Sequence, residues 1–193
     1  ARRELIIGNF RLMYEVISRE TAGLFDTRGN TAINQTYIKG LSVHYTGAAI
    51  MPSMKSIDDV FTYLTNLQNV YVNMNGFVDI PYSFAISNVT DEIIELRGFG
   101  IQSEHHHNNQ LNDTFMSVLW LGGVRDVPND NAKSALERLV DIISERYDRK
   151  ILVLADDCGK PMYEFITSTE PKWMTPRRKV RQWSKKKIIT KKT

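Results

Sequence analysis

Ten residues in the middle of the chain, TFMSVLWLGG from Thr114 to Gly123, constrain the fold more than any other stretch. A strand with one wet face alternates apolar and polar residues, but this run is almost continuously apolar. It therefore reads as a central strand buried on both faces. Around it, candidate strands at Lys39 to Thr46, YSFAIS, EIIEL and ILVLA alternate with helical patterns. That alternation predicts an α/β fold with a mixed central β-sheet flanked by helices. YSFAIS and EIIEL, separated by a turn at Asn88 to Asp91, read as a hairpin.

The helices announce themselves by period and caps. Ser56 is a good N-cap, Asp58 and Asp59 complement the dipole of the first turn, and Ile57, Val60, Phe61, Leu64 and Leu67 make an apolar stripe. Pro128 and Asp130 open a second helix whose core stripe holds Leu136, Leu139, Val140 and Ile143. At the amino-terminal end, Leu5, Ile6, Phe10, Met13, Val16 and Ile17 have helical spacing, which predicts an amphipathic helix over residues 3–18. A loop follows, and PMYEFITS reads as a short closing helix. The expected division is residues 1–39 for the amino-terminal helix and its loop, 40–170 for the main domain, and 171–193 for a basic tail.

Charge is distributed unevenly. From Lys172 to Thr193 there are ten Lys or Arg and no acid, leaving fifteen basic and twenty-two acidic residues in the preceding 171. Trp173 and Trp183 are interleaved with Arg177, Arg178, Lys185, Lys186 and Lys187. Such a tail is expected to dock on other protein subunits of an assembly, on nucleic acid, or on a cell-wall polyanion. With one cysteine, Cys158, the chain can form no internal disulfide. ARRELIIGNF lacks the apolar core of a signal peptide, and no segment has the roughly 18 apolar residues of a transmembrane segment. Synthesis in the cytoplasm without a signal peptide is the expectation.

Five pieces in order carry a resemblance: VHYTG around His44; GFVDIPYSF from Gly76 to Phe84; ELRGFG from Glu95 to Gly100; His107 and Asn112 five residues apart before the central strand; and SALERLVDII. Over about residues 40–168 the chain resembles the zinc-dependent N-acetylmuramoyl-L-alanine amidases of bacterial or bacteriophage type and the related peptidoglycan recognition proteins. The resemblance implies an amidase-like fold with a zinc held by two histidines and a cysteine, and a tyrosine supporting the developing oxyanion. Zinc with an open coordination position lowers the pKa of bound water to about 7 and polarises the scissile carbonyl. His44 matches the first ligand, Tyr82 the tyrosine, and His107 and Asn112 the binding groove.

The second half of that pattern is altered. In place of GHRD, a short loop and CPG, the chain has LADDCGKP from Leu154 to Pro161. The best alignment sets Ala155 at the second histidine and Cys158 at or near the cysteine. Asp156 or Asp157 could stand in as an oxygen donor, although His-Asp-Cys is a less usual zinc set. Asp156 also falls where many members carry Lys or Thr, and a negative charge there would oppose an oxyanion. Pro81 replaces the glycine before Tyr82. The run Glu104-His105-His106-His107 is a weaker metal candidate, because neighbouring side chains on an extended chain point apart. Cys158 has no recognisable base nearby in sequence for a nucleophilic role.

These readings predict a non-catalytic amidase-fold protein, with a structural or binding role in a larger assembly such as a bacteriophage virion. The alternative is an active zinc amidase, endolysin-like, that cleaves peptidoglycan. A third reading takes PRRKVRQWSKKKIITKK as a nucleic-acid-binding segment acting through phosphates.

Overall fold

The apolar run does form the middle of the sheet. The computed structural model describes residues 16–27, 29–104 and 109–155. Its strands, in chain order, are β1 (Val16–Ile17), β2 (Gly40–Tyr45), β3 (Phe84–Ser87), β4 (Ile93–Glu95), β5 (Phe115–Leu121) and β6 (Leu152–Ala155). They make one six-stranded sheet in the order β1-β4-β3-β5-β2-β6. Every neighbouring pair is parallel except the β3–β4 hairpin. All seven residues of β5 are buried, as a strand flanked on both edges and both faces must be.

Parity along β2 and β5 divides the core into two layers. Leu41 and Val43, level with Met116 and Val118, face α3 (Asp130–Tyr147) and meet Ala135, Leu139, Val140 and Ile143. On the other face, Leu119 and Leu121 join Ala85, Val60, Leu64 and Ile80 beneath α1 (Ile57–Asn69). Each of these large side chains contributes about 1.5–3 kcal/mol by leaving water, so the layers hold the sheet from both sides. A third, short helix, α2 (Asn109–Asn112), precedes β5.

Helix starts follow the sequence signals. Ser56 Oγ accepts from the Asp59 amide at 3.2 Å, and the Asp59 carboxylate accepts from the amides of Ser56 and Lys55. Those backbone hydrogen bonds, Lys55's first, hold the Asp59 carboxyl below its ordinary value. Asn129 caps α3 by accepting from the Ala132 amide. Beyond Asn69 the chain does not pass directly into a loop but makes a π-helical turn, Val70–Met74, in which one extra residue is accommodated per turn.

The amino-terminal expectation is corrected at Val16 and Ile17. They form β1, level with Ile93 and Ile94 at the sheet edge, and are not the end of a helix. Two adjacent apolar residues fit helical and extended patterns equally, and the unpaired edge of β4 decides between them. Residues 3–15 of the expected helix lie outside the described residues, as does PMYEFITS. Beyond β1 the chain is pinned to the same core: Ala22 and Leu24 are buried, and Arg19 reaches the buried Asp79 at 2.8 Å.

Candidate functional site

The site lies on the α1 face of the sheet, between the last residues of β2 and the segment that leads into β3. β2 carries Ser42 and His44 on that face, two residues apart and therefore on the same side of the pleat. Ser42 is fully buried, His44 half-buried. The Ser42 hydroxyl donates to the Met116 carbonyl at 3.3 Å, and His44 Nε2 lies 3.1 Å from the same oxygen. Across the groove, the Tyr82 ring stands with its centroid 5.5 Å from that of His44, tilted by 49°.

Tyr82 is placed by a rigid segment. Asp79, 1% exposed, accepts from Arg19 Nη1, Thr27 Oγ1, Gln68 Nε2 and the Ile80 amide at 2.8–2.9 Å. Burial alone would raise the Asp79 carboxyl, but the hydrogen bonds from Arg19, Thr27 and Gln68 outweigh it and hold the group below its ordinary value. The buried Arg97 donates to the carbonyls of Ile80, Gln102 and Asp79 and pairs with Glu104 at 2.7 Å. Its own amide donates to the Tyr82 carbonyl. Pro81 fits this frame without a donor of its own: it is buried, and its carbonyl accepts from the Glu104 amide at 3.0 Å.

Two tyrosines extend the wall from α1 and its π-helical turn. Tyr71 hydrogen-bonds with Tyr82 and meets Phe77 edge-on at 5.4 Å. The Tyr63 hydroxyl donates to Met51 Sδ at 3.9 Å, the sulfur to which Thr46, at the exit of β2, also donates. Burial raises both phenols above their ordinary value, and for Tyr63 the neighbouring Tyr71 adds to the effect. Both therefore stay protonated at neutral pH. Among the described residues the result is an aromatic-walled surface that carries the His44 imidazole, suited to hydrogen bonding and stacking rather than to proton abstraction by a phenolate.

The sequence-derived site residues fall into two groups. His44 and Tyr82 are brought together. Asn112 is buried at the end of α2. His107, Asp156 and Cys158 lie outside the described residues, as do Trp173, Arg177, Arg178, Trp183, Lys185, Lys186 and Lys187. Among the described residues no three of His, Cys, Asp and Glu are placed to hold a metal ion. The described residues thus offer one of the three donors that a zinc site of this kind needs, His44.

The ladder adds a fact that alignment by sequence does not carry. β2 and β6 run level as Gly40 with Leu152, Leu41 with Val153, Ser42 with Leu154 and Val43 with Ala155. Ala155 therefore stands one residue short of the level of His44. Sequence reasoning also passed over Ser42, Tyr63 and Tyr71. Ser42 carried a readable signal, a polar residue two before His44 on a strand. Tyr63 and Tyr71 did not, because the π-helical turn breaks the regular spacing that would have grouped them.

No protein-family model and no curated protein sequence matches the chain. Solved structures do. Drosophila PGRP-LB superposes with a TM-score of 0.71 at 18% identity, covering 83% of this chain and 95% of that one. Drosophila peptidoglycan recognition protein SA gives 0.69 at 19% identity, covering 83% and 94%. A point mutant of Drosophila PGRP-LB in complex with tracheal cytotoxin gives 0.71 at 18%, covering 84% and 97%. The chain therefore has the fold of the peptidoglycan recognition proteins.

Proposed function

We propose that the chain is a non-catalytic binding protein whose groove, between His44 and Tyr82, takes a muropeptide fragment of peptidoglycan. The observation that carries this reading is the pairing of the β2 imidazole with the phenol that precedes β3, on a wall of protonated tyrosines. Similarity of fold to a protein held in complex with tracheal cytotoxin supports the choice of ligand class. The departure from GHRD to LADD supports the absence of catalysis, since losing one of three donors removes most of the affinity of a mononuclear zinc site. The basic tail, through Trp173, Arg177, Arg178, Trp183 and Lys185 to Lys187, docks the domain onto neighbouring subunits of a larger assembly. A bacteriophage virion is the assembly proposed.

One observation favours the second reading, an active zinc amidase. Because Ala155 is level with Val43, the alanine aligned with the second histidine does not occupy the level of His44. An oxygen donor at Asp156, with His44 and Cys158, would then complete a set.

Elemental analysis of the purified full chain decides between them. Well under one zinc per chain, no peptide released from peptidoglycan, and measurable binding of a synthetic muramoyl tripeptide are the expected results. Stoichiometric zinc that is lost on replacing His44 or Cys158 would reverse the ranking.

A further inference from the structure

An asparagine followed by glycine carries its own reagent. The backbone nitrogen of the next residue can attack the side-chain amide carbon, and glycine alone puts no β-carbon in the way. The chain holds one such pair, Asn75-Gly76, and it stands where the π-helical turn Val70–Met74 ends. Both residues are exposed. The amides on either side are held, that of Asn75 by the Val70 carbonyl at 3.1 Å and that of Phe77 by the Tyr71 carbonyl at 3.0 Å. Among the described residues the Gly76 amide donates to no backbone carbonyl. Gly76 sits at φ 74°, and a β-carbon built on it would meet nothing within 4 Å. At Asn75 ψ is −6°, so the nitrogen reaches the side chain only when the turn opens, and the space around Gly76 leaves that swing unobstructed. Elsewhere the same attack is hindered. Asn66 lies inside α1, where the next amide is held in the helical ladder, and the side chains of Asn73, Asn88 and Asn129 are tied in hydrogen bonds.

We propose that Asn75-Gly76 is a self-modification site at the edge of the groove wall, converting to aspartate and isoaspartate by loss of ammonia. The Gly76 nitrogen bonds to Cγ of Asn75, the Cγ–NH2 bond breaks, and ammonia leaves with the proton that the nitrogen gave up, closing a five-membered imide. Water then opens the ring at either carbonyl. One opening gives aspartate. The other gives isoaspartate, in which the backbone runs through the side chain and is longer by one carbon. Either product adds a carboxylate at the carboxyl-terminal end of a helical segment, where the peptide dipoles repel it. The extra carbon falls immediately before Phe77, whose amide is bonded to Tyr71, whose ring meets the Tyr71 ring at 5.4 Å, and Tyr71 in turn bonds Tyr82. Isoaspartate therefore loosens the wall of the groove. Its effect on a ligand rests on the function proposed above, whereas the modification does not.

The test is peptide mapping by mass spectrometry of the full chain, held folded in warm, mildly alkaline buffer and sampled at intervals beside the same chain held in urea. The Asn75 peptide should split into aspartate and isoaspartate forms ahead of every other asparagine, and more slowly than in urea because the turn must open first. Asn75→Gln, which would need a six-membered ring, should stay unmodified over the same time. Conversion of another asparagine first, or an Asn75 that stays intact for as long as the chain stays folded, would overturn the proposal. Titration with synthetic muramoyl tripeptide is the second readout: the separated isoaspartate form should bind about fivefold more weakly than fresh chain, the worth of one hydrogen bond. Aged Asn75→Gln should bind as it does when fresh. Equal binding by the isoaspartate form and the fresh native chain would refute the effect on the groove. Failure of the fresh native chain to bind would refute the proposed function instead and leave the modification standing.

Discussion

The carboxylate of Asp79 receives four hydrogen bonds in a site closed to water, and Arg19 is the charged member among its donors. Replacing Asp79 with Asn removes the charge and leaves Arg19 facing a neutral amide. Breaking a buried pair in this way costs about 3–5 kcal/mol, which urea denaturation would read as a lowered midpoint. The pH dependence has a definite sign. The folded carboxyl lies below the ordinary aspartate value of about 3.9, so the unfolded chain binds the proton more readily. The stabilisation is complete above roughly pH 4 and is lost as acid titrates the folded carboxylate below that. Denaturation midpoints at pH 7 and pH 3 should therefore differ more in the native chain than in Asp79→Asn. Arg97→Lys belongs to the same scale: one ammonium cannot reproduce a fork that reaches three carbonyls and Glu104, and a loss of about 2–4 kcal/mol is expected in the same assay.

Elements were legible in proportion to how local their causes are. Ser56 with Asp59, and Pro128 before the capped α3, are signals carried within four residues, and the helices begin where those signals stand. The burial of β5 was legible because no wet strand carries FMSVLWL. β1 was not, since two apolar residues become a strand only when a distant partner offers an edge. The π-helical turn was not, since it obeys neither regular period. Within the site, His44 and Tyr82 were legible as a pair only through resemblance, and the level of Ala155 only through the ladder. Two substitutions test the elements. A β-carbon at Gly40 would collide with the Leu152 carbonyl and the Phe115 ring, so Gly40→Ala should strain the seam between β2, β5 and β6. A loss of about 1–3 kcal/mol in thermal or chemical denaturation is expected. At the end of α3, Asp148 holds the left-handed conformation, φ 48°, where glycine is at ease. Asp148→Gly should raise stability by up to about 1 kcal/mol.

At the scale of the whole molecule, the two core layers and the groove wall that the described residues build lie between residues 16 and 155. Truncation after Glu170 should therefore leave the melting temperature within about 2 °C of the native value while removing binding to assembly partners or polyanions. Partner binding that survives the truncation would place docking elsewhere. The sheet's far margin has a consequence of its own. β1 is two residues long, yet among the described residues it is the strand that pairs with the outer side of β4, and it comes from a segment more than seventy residues away in sequence. So distant a strip arrives after the hairpin has formed and is lost before anything else when the amino-terminal end is nicked. A clipped chain would expose a bare row of amides and carbonyls beside Ile93 and Ile94, along which two copies could zip together, so sedimentation of nicked protein should show self-association that rises with concentration.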